Sequence, residues 1–166
     1  MSEHAFKDSL ANGAHLRLGQ MVGEWKGMTQ VWFDSSKPPV SETMQRGSIR
    51  PILGGRFLLH EYETTFGDDA HQGIAIYGAH LDADTFESAW VDSFHTGTNV
   101  MFSAAAMQVP GFSVLGHYGD GQQGPPWGWR TEIGQPDADS LVITMYNIEP
   151  QAKEAKSVET RYKRVK

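Results

Sequence analysis

The chain has 166 residues, no cysteine and a net charge of −6 from 14 basic and 20 acidic side chains. A chain of this length fits one domain that buries about 68–70% of its unfolded surface and needs no covalent staple. Lack of cysteine excludes disulfides, thiolate zinc sites, iron–sulfur clusters and a cysteine nucleophile, and the acidic balance argues against a nucleic-acid phosphate surface.

Residues 1–12 read as a flexible leader, leaving a single domain over residues 13–166. The start has no basic run followed by an apolar one, so no signal peptide is expected. No apolar run approaches the roughly 20 residues of a spanning helix. A cytoplasmic protein without a membrane partner is the expectation. Leu10, Ala14, Leu18 and Met21 recur at spacings of four and three. That spacing predicts one short helix, over about His15 to Met21, lying across a barrel end.

Strand-like segments then follow at roughly 10–15-residue spacing, the mark of an all-β domain. They run Glu24 to Phe33, Ser41 to Arg50, Arg56 to Phe66, Gln72 to His80 and Phe86 to Ser93. Thr98 to Met107, Phe112 to Tyr118, Trp127 to Ile133, Leu141 to Ile148 and Lys156 to Val165 complete the series. Turn residues separate them, including Gly67-Asp68-Asp69, Val109-Pro110-Gly111 and the long Gly119–Pro126 loop. About ten strands joined by tight turns predict an up-and-down antiparallel meander, which closes into a barrel to remove its edges. A barrel of about eight strands just holds its own side chains or one small ligand, and ten leave more room.

Gly23-Glu24-Trp25, at the start of the first strand, resembles the lipocalin Gly-x-Trp signature. The wider pattern is similar to the DUF1579 family, lipocalin-like (calycin) proteins without an established function. It is carried by Val22-Gly23-Glu24-Trp25, Leu53-Gly54-Gly55-Arg56-Phe57-Leu58, Gly73 through Tyr77-Gly78, and Trp90-Val91-Asp92-Ser93 with Thr96-Gly97. Trp129-Arg130-Thr131-Glu132-Ile133, Met145-Tyr146 and Glu159 through Arg164 continue it. The resemblance implies a barrel whose Trp25 packs across the floor beneath an arginine of the last strand. Arg164 is the candidate and Arg161 the second choice; a guanidinium on an indole face suits that role. Pro125-Pro126-Trp127-Gly128-Trp129 departs from the family pattern, being more aromatic and rigid.

Strand alternation nominates the lumen residues. Arg56, Leu58, His60, Tyr62 and Thr64 share a face of the third strand, and Ser88, Trp90 and Asp92 share one of the fifth. A buried Asp92 needs a partner, for which Arg130 or Arg56 is the expectation. In the eighth strand Trp127, Trp129, Thr131 and Ile133 form the apolar face, unless a bulge after Pro126 changes it. Tyr146 is nominated as a lumen hydroxyl. The histidines are scattered on different segments at no metal-ligand spacing, so no metal site is expected. Nitrobindin, another calycin family, holds haem through one histidine in a ten-stranded barrel. His117 or His60 would serve here, but neither sits in a nitrobindin-specific motif, and no cofactor is expected. No phosphate loop or nucleophile elbow occurs.

The resulting expectation is an all-β barrel that binds a small, partly apolar molecule, with Arg56, Leu58, His60, Tyr62, Trp90, Asp92 and Tyr146 as contacts. Loops around Gly67 and Gly121 would form the door. An enzyme using Asp92 with His60 or His117 in acid–base chemistry is the first alternative. A solid barrel that homodimerises through an apolar patch near Trp32 and the edge of the second strand is the other.

Overall fold

In the computed structural model the alternation becomes ten antiparallel strands. The structure describes residues 3–107, 111–119, 124–151 and 153–166. β1 (Gly23–Val31), β2 (Ser41–Ile52), β3 (Phe57–Phe66), β4 (Asp69–His80) and β5 (Thr85–Asp92) are followed by β6 (Met101–Ala106), β7 (Phe112–Tyr118), β8 (Trp127–Asp137), β9 (Ser140–Ile148) and β10 (Glu154–Arg164). Each pairs with its sequence neighbours, and β1 pairs with β10 to close the ring. Closure leaves no free backbone edge. The second strand therefore has no edge to offer a partner: β2 is bonded to β1 and β3. Trp32 is buried, with the Lys156 ammonium 4.3 Å from its ring.

The period-two pattern sets what faces inward. In β1, Trp25, Thr29 and Val31 are buried while Glu24, Lys26 and Met28 face out. Phe33, which continues the alternation of Trp25, Thr29 and Val31, is 73% exposed because the strand ends at Val31. In β8, Trp129, Thr131 and Ile133 are buried, whereas Arg130 lies outside between Glu132 and Glu154. β9 corrects one expectation. Its lumen residues are Leu141, Ile143 and Met145, so Tyr146 faces outward beneath the Arg130 guanidinium at 4.2 Å. Both alternations of β9 are apolar, so its sequence alone cannot choose a face. The ladders choose: Ile143 stands opposite Thr160 of β10 and Ile133 of β8, both inward residues.

Two short helices cap one end, α1 (Glu3–Asn12) and α2 (Ala14–Gly19). Residues 3–12 are therefore a docked helix rather than a flexible leader, and residues 1–2 lie outside the described residues. Phe6 and Ser9 of α1 are buried. Phe6 meets His15 edge-on at 4.9 Å and lies 4.3 Å beneath Arg56, and Ser9 Oγ sits 2.9 Å from His15 Nδ1. Ala14 and Leu18 of α2, with Met21 beyond it, belong to the core, whereas Leu10 is exposed.

The same end carries the clasp. Trp25 and Arg164 are directly paired residues of β1 and β10, and the guanidinium lies 4.2 Å over the buried indole. Arg164 donates to the carbonyls of Val22, Gln20 and Ala138, and Trp25 Nε1 donates to Met21 O at 2.9 Å. Gly23 explains the first letter of the signature: a Cβ there would overlap Arg164 Nη1. The opposite end is ringed by the β3–β4 turn, residues 93–100 and the described parts of the β7–β8 loop, residues 119 and 124–126. Residues 120–123 of that loop, including Gly121, lie outside the described residues, as does the expected turn at Val109-Pro110. Among the described residues no helix is long and apolar enough to cross a membrane.

Candidate functional site

Midway along the lumen, polar side chains are satisfied by one another. His60 of β3 is buried, with Nδ1 3.0 Å from the Tyr77 hydroxyl and Nε2 3.4 Å from the Tyr162 hydroxyl. Gln45 Nε2 donates to Tyr162 Oη at 2.6 Å. Glycines make room for this cluster: a Cβ at Gly47 would stand 2.5 Å from the Tyr162 hydroxyl and 2.9 Å from His60 Nε2. Burial without a counter-charge pushes the His60 imidazole down to about 3, so it is neutral at physiological pH. Burial likewise raises Tyr77 and Tyr162 above the usual phenol range. The space beside these groups is a cavity of only about 30 Å³. That holds a water or two, at roughly 10–15 Å³ each.

Nearer the open end, Asp92 closes β5. Its side chain is 0% exposed. Oδ1 accepts from the backbone N–H groups of Phe94, His95 and Thr96 at 3.3, 2.6 and 2.8 Å, which fixes the loop that follows. Oδ2 accepts from His71 Nε2 at 3.0 Å and His95 Nδ1 at 2.7 Å. Desolvation drives the carboxyl upward, but the hydrogen bonds from His71, His95 and Thr96 outweigh it and hold it well below the usual carboxylate range. The partners are histidines, not the expected Arg130 or Arg56. Arg130 is outside the barrel, and Arg56 pairs with Glu3 at 2.8 Å beside the helices.

Above Asp92 opens a cleft of about 830 Å³, lined by Trp90, His95, Met101, Tyr118, Trp127 and Trp129 among others. Trp90 and Trp129 stack, with ring centroids 5.7 Å apart and planes 16° apart, and His95 packs on both. Trp90 Nε1 donates to the Tyr62 hydroxyl at 2.9 Å. Trp129 Nε1 is different. Among the described residues it is the one buried side-chain polar atom without a hydrogen-bond partner.

Of the seven nominated contacts, the structure groups His60 and Tyr62 along the inner cavity, Trp90 between cavity and cleft, and Asp92 beneath the cleft. Leu58 is a core residue below them. Arg56 and Tyr146 do not join the site. The pairing of Asp92 with His60 or His117 does not form, since His60 is bonded to tyrosines and His117 is exposed at the end of β7. Nor does haem fit at His60, whose ring nitrogens are both occupied beside a cavity of about 30 Å³. Sequence reasoning missed His71 and His95. The available signal was His71 opposite Thr64 near a turn, with His95 three residues beyond a buried Asp.

A family model described as a protein of unknown function (DUF1579) matches residues 11–164. The chain belongs to the DUF1579 family. No curated protein matches its sequence. Among solved structures it is similar to Rv2717c from M. tuberculosis, at 13% identity and a TM-score of 0.60, over 91% of this chain and 96% of that one. Identity this low supports a shared barrel fold. For a DUF1579 member, activity must be read from the site itself.

Proposed function

We propose that this DUF1579 protein is a lipocalin-like receptor for a small, flat, partly apolar molecule carrying a hydrogen-bond acceptor, held at the barrel mouth. The observation that carries the reading is the Trp129 indole. It lines the cleft, stacks on Trp90 and has an N–H without an acceptor among the described residues. An unpaired buried donor costs about 1–3 kcal/mol, which a ligand acceptor would offset. The cleft volume lies within the roughly 300–1,000 Å³ of small-molecule sites, and aromatic walls with few polar groups are their usual make-up. The small size of the inner cavity favours the mouth over the deep lumen, so Trp90 is retained as a contact while Leu58 and His60 become structural.

Native mass spectrometry of the purified protein, with an absorbance scan, tests for a co-purified molecule and reads the oligomeric state. In parallel, 1-anilino-8-naphthalenesulfonate is titrated into wild type and Trp129→Ala. Expected are a fluorescence rise with wild type and a loss on the order of tenfold in affinity with the variant. No retained mass together with equal probe binding by both proteins would overturn the reading.

A further inference from the structure

We propose that His71, Asp92 and His95 form a binding site for one divalent transition-metal ion, of the borderline class that includes Zn²⁺ and Co²⁺, just inside the barrel mouth. The inference does not depend on the organic ligand proposed above. Three segments converge on it: the start of β4, the end of β5 and the loop after β5. One ligand atom from each residue lies within 4.8 Å of the other two. Two imidazoles and a carboxylate form an N₂O set suited to such ions, and three protein ligands leave a position open for water or substrate.

Charge provides a second, independent argument. Asp92 is fully buried, yet its ion-pair partners are two histidines and neither is a lysine or arginine. Five hydrogen bonds keep that carboxylate ionised without a permanent cation beside it, so a fixed negative charge faces the two imidazoles and a bound divalent ion would neutralise it. Orientation provides a third. Three backbone N–H groups hold Oδ1, which turns Oδ2 toward both imidazoles. Ligand carboxylates are commonly held this way by an outer shell. Neighbouring donors around a tetrahedral ion with bonds of about 2.0–2.2 Å stand roughly 3.3 Å apart. The present separations of 3.0 and 2.7 Å are hydrogen-bond distances, so on metal binding each imidazole carries its proton on the other ring nitrogen and opens by a few tenths of an ångström. His95 is partly exposed and has room to do so. The open position would face the small cavity that His71 and His95 both line.

The test is a Co²⁺ titration of metal-stripped full-length protein, followed by visible d–d absorption and tryptophan fluorescence. Trp90 and Trp129 lie 5.6 and 5.4 Å from the His95 ring, so a paramagnetic ion here quenches both. Expected are one equivalent of Co²⁺ with an intense tetrahedral-type band, displacement by Zn²⁺, and parallel quenching. His95→Ala should weaken binding on the order of 100-fold with its far-UV spectrum unchanged. His80→Ala, at the opposite end of β4, should bind as wild type. If His71→Ala fails to fold, His95→Ala alone decides. Absence of the band at saturating Co²⁺, or a band that survives His95→Ala, would overturn the proposal, as would equal loss in His80→Ala.

Discussion

Truncating Trp25 should strip the barrel of much of its stability. The indole is 1% exposed, donates to Met21 O and carries the Arg164 guanidinium 4.2 Å above its face. A Trp→Ala change at such a site costs about 3–5 kcal/mol. That is a large part of the roughly 5–15 kcal/mol that holds a domain together. Trp25→Phe keeps most of the packing and loses the hydrogen bond, for about 1–2 kcal/mol. Arg164→Ala deprives three carbonyls of a donor, but its side chain is 24% exposed and water replaces part of the loss. About 2 kcal/mol is expected there. The double variant isolates the ring–guanidinium contact, whose coupling should be about 1–2 kcal/mol for a partly desolvated pair. Urea unfolding followed by far-UV circular dichroism reads the four variants against wild type. A coupling below about 0.3 kcal/mol would refute the clasp as an energetic unit. A Trp25→Ala cost under about 1.5 kcal/mol would refute the indole's core role.

Three further outcomes are expected. His60 has a depressed pKa of about 3, so the unfolded chain takes up a proton below about pH 6.5 that the fold refuses. Stability then falls as pH drops through that window, at up to about 1.4 kcal/mol per unit. Between pH 6.5 and 4.5 urea midpoints should fall for wild type and stay flatter for His60→Gln; equal slopes would reject the assignment. Asp92, depressed in the fold, contributes stability that is present above about pH 3.9 and lost below it, so it leaves that window undisturbed. Asp92→Asn keeps an acceptor for the three loop N–H groups and should cost about 1–2 kcal/mol in urea unfolding, against about 3–4 for Asp92→Ala. Equal costs would show that the carboxyl does not anchor the loop. Gly47→Ala drives a methyl into Tyr162 and His60 and should cost about 1–3 kcal/mol by thermal denaturation, where a neutral result would mean the cluster relaxes freely.

The fold was legible because its signals are local. Alternation in Trp25, Thr29 and Val31, turn residues at regular spacing, and Gly23 before Trp25 all report on neighbours in sequence. The clasp partner came from the lipocalin resemblance, which implies an arginine of the last strand over Trp25, and the β1–β10 pairing puts Arg164 there. The site was less legible because it depends on register. Both faces of β9 are apolar, so alternation alone does not orient Tyr146, and only the pairing of Ile143 with Thr160 and Ile133 breaks the tie. Alternation along β5 encodes the burial of Asp92, but not the identity of its partners. His71 and His95 meet it through a turn and a loop whose conformations no periodicity encodes. Residues 3–12 carry too few apolar side chains to announce a helix; Phe6 and the Arg56–Glu3 pair dock them.

The geometry separates the two ends of the barrel. At the floor, Arg164 and Trp25 use their donors on backbone carbonyls. At the mouth, the Trp129 N–H has no acceptor among the described residues. A group that lowers stability without a ligand persists where binding restores it, so perturbations at the two ends should move stability and binding in different ways. Trp129→Phe removes the orphan donor while keeping a ring on Trp90. It should raise the urea midpoint, worth about 1 kcal/mol, and weaken probe binding at the mouth. Trp25→Phe should lower the midpoint and leave the affinity of the folded fraction unchanged. Both are read by paired urea and 1-anilino-8-naphthalenesulfonate titrations under the same buffer. If Trp25→Phe shifts the probe affinity of fully folded protein as much as Trp129→Phe does, the ends are coupled. The orphan donor would then be a packing defect of the whole barrel and not a feature of its mouth.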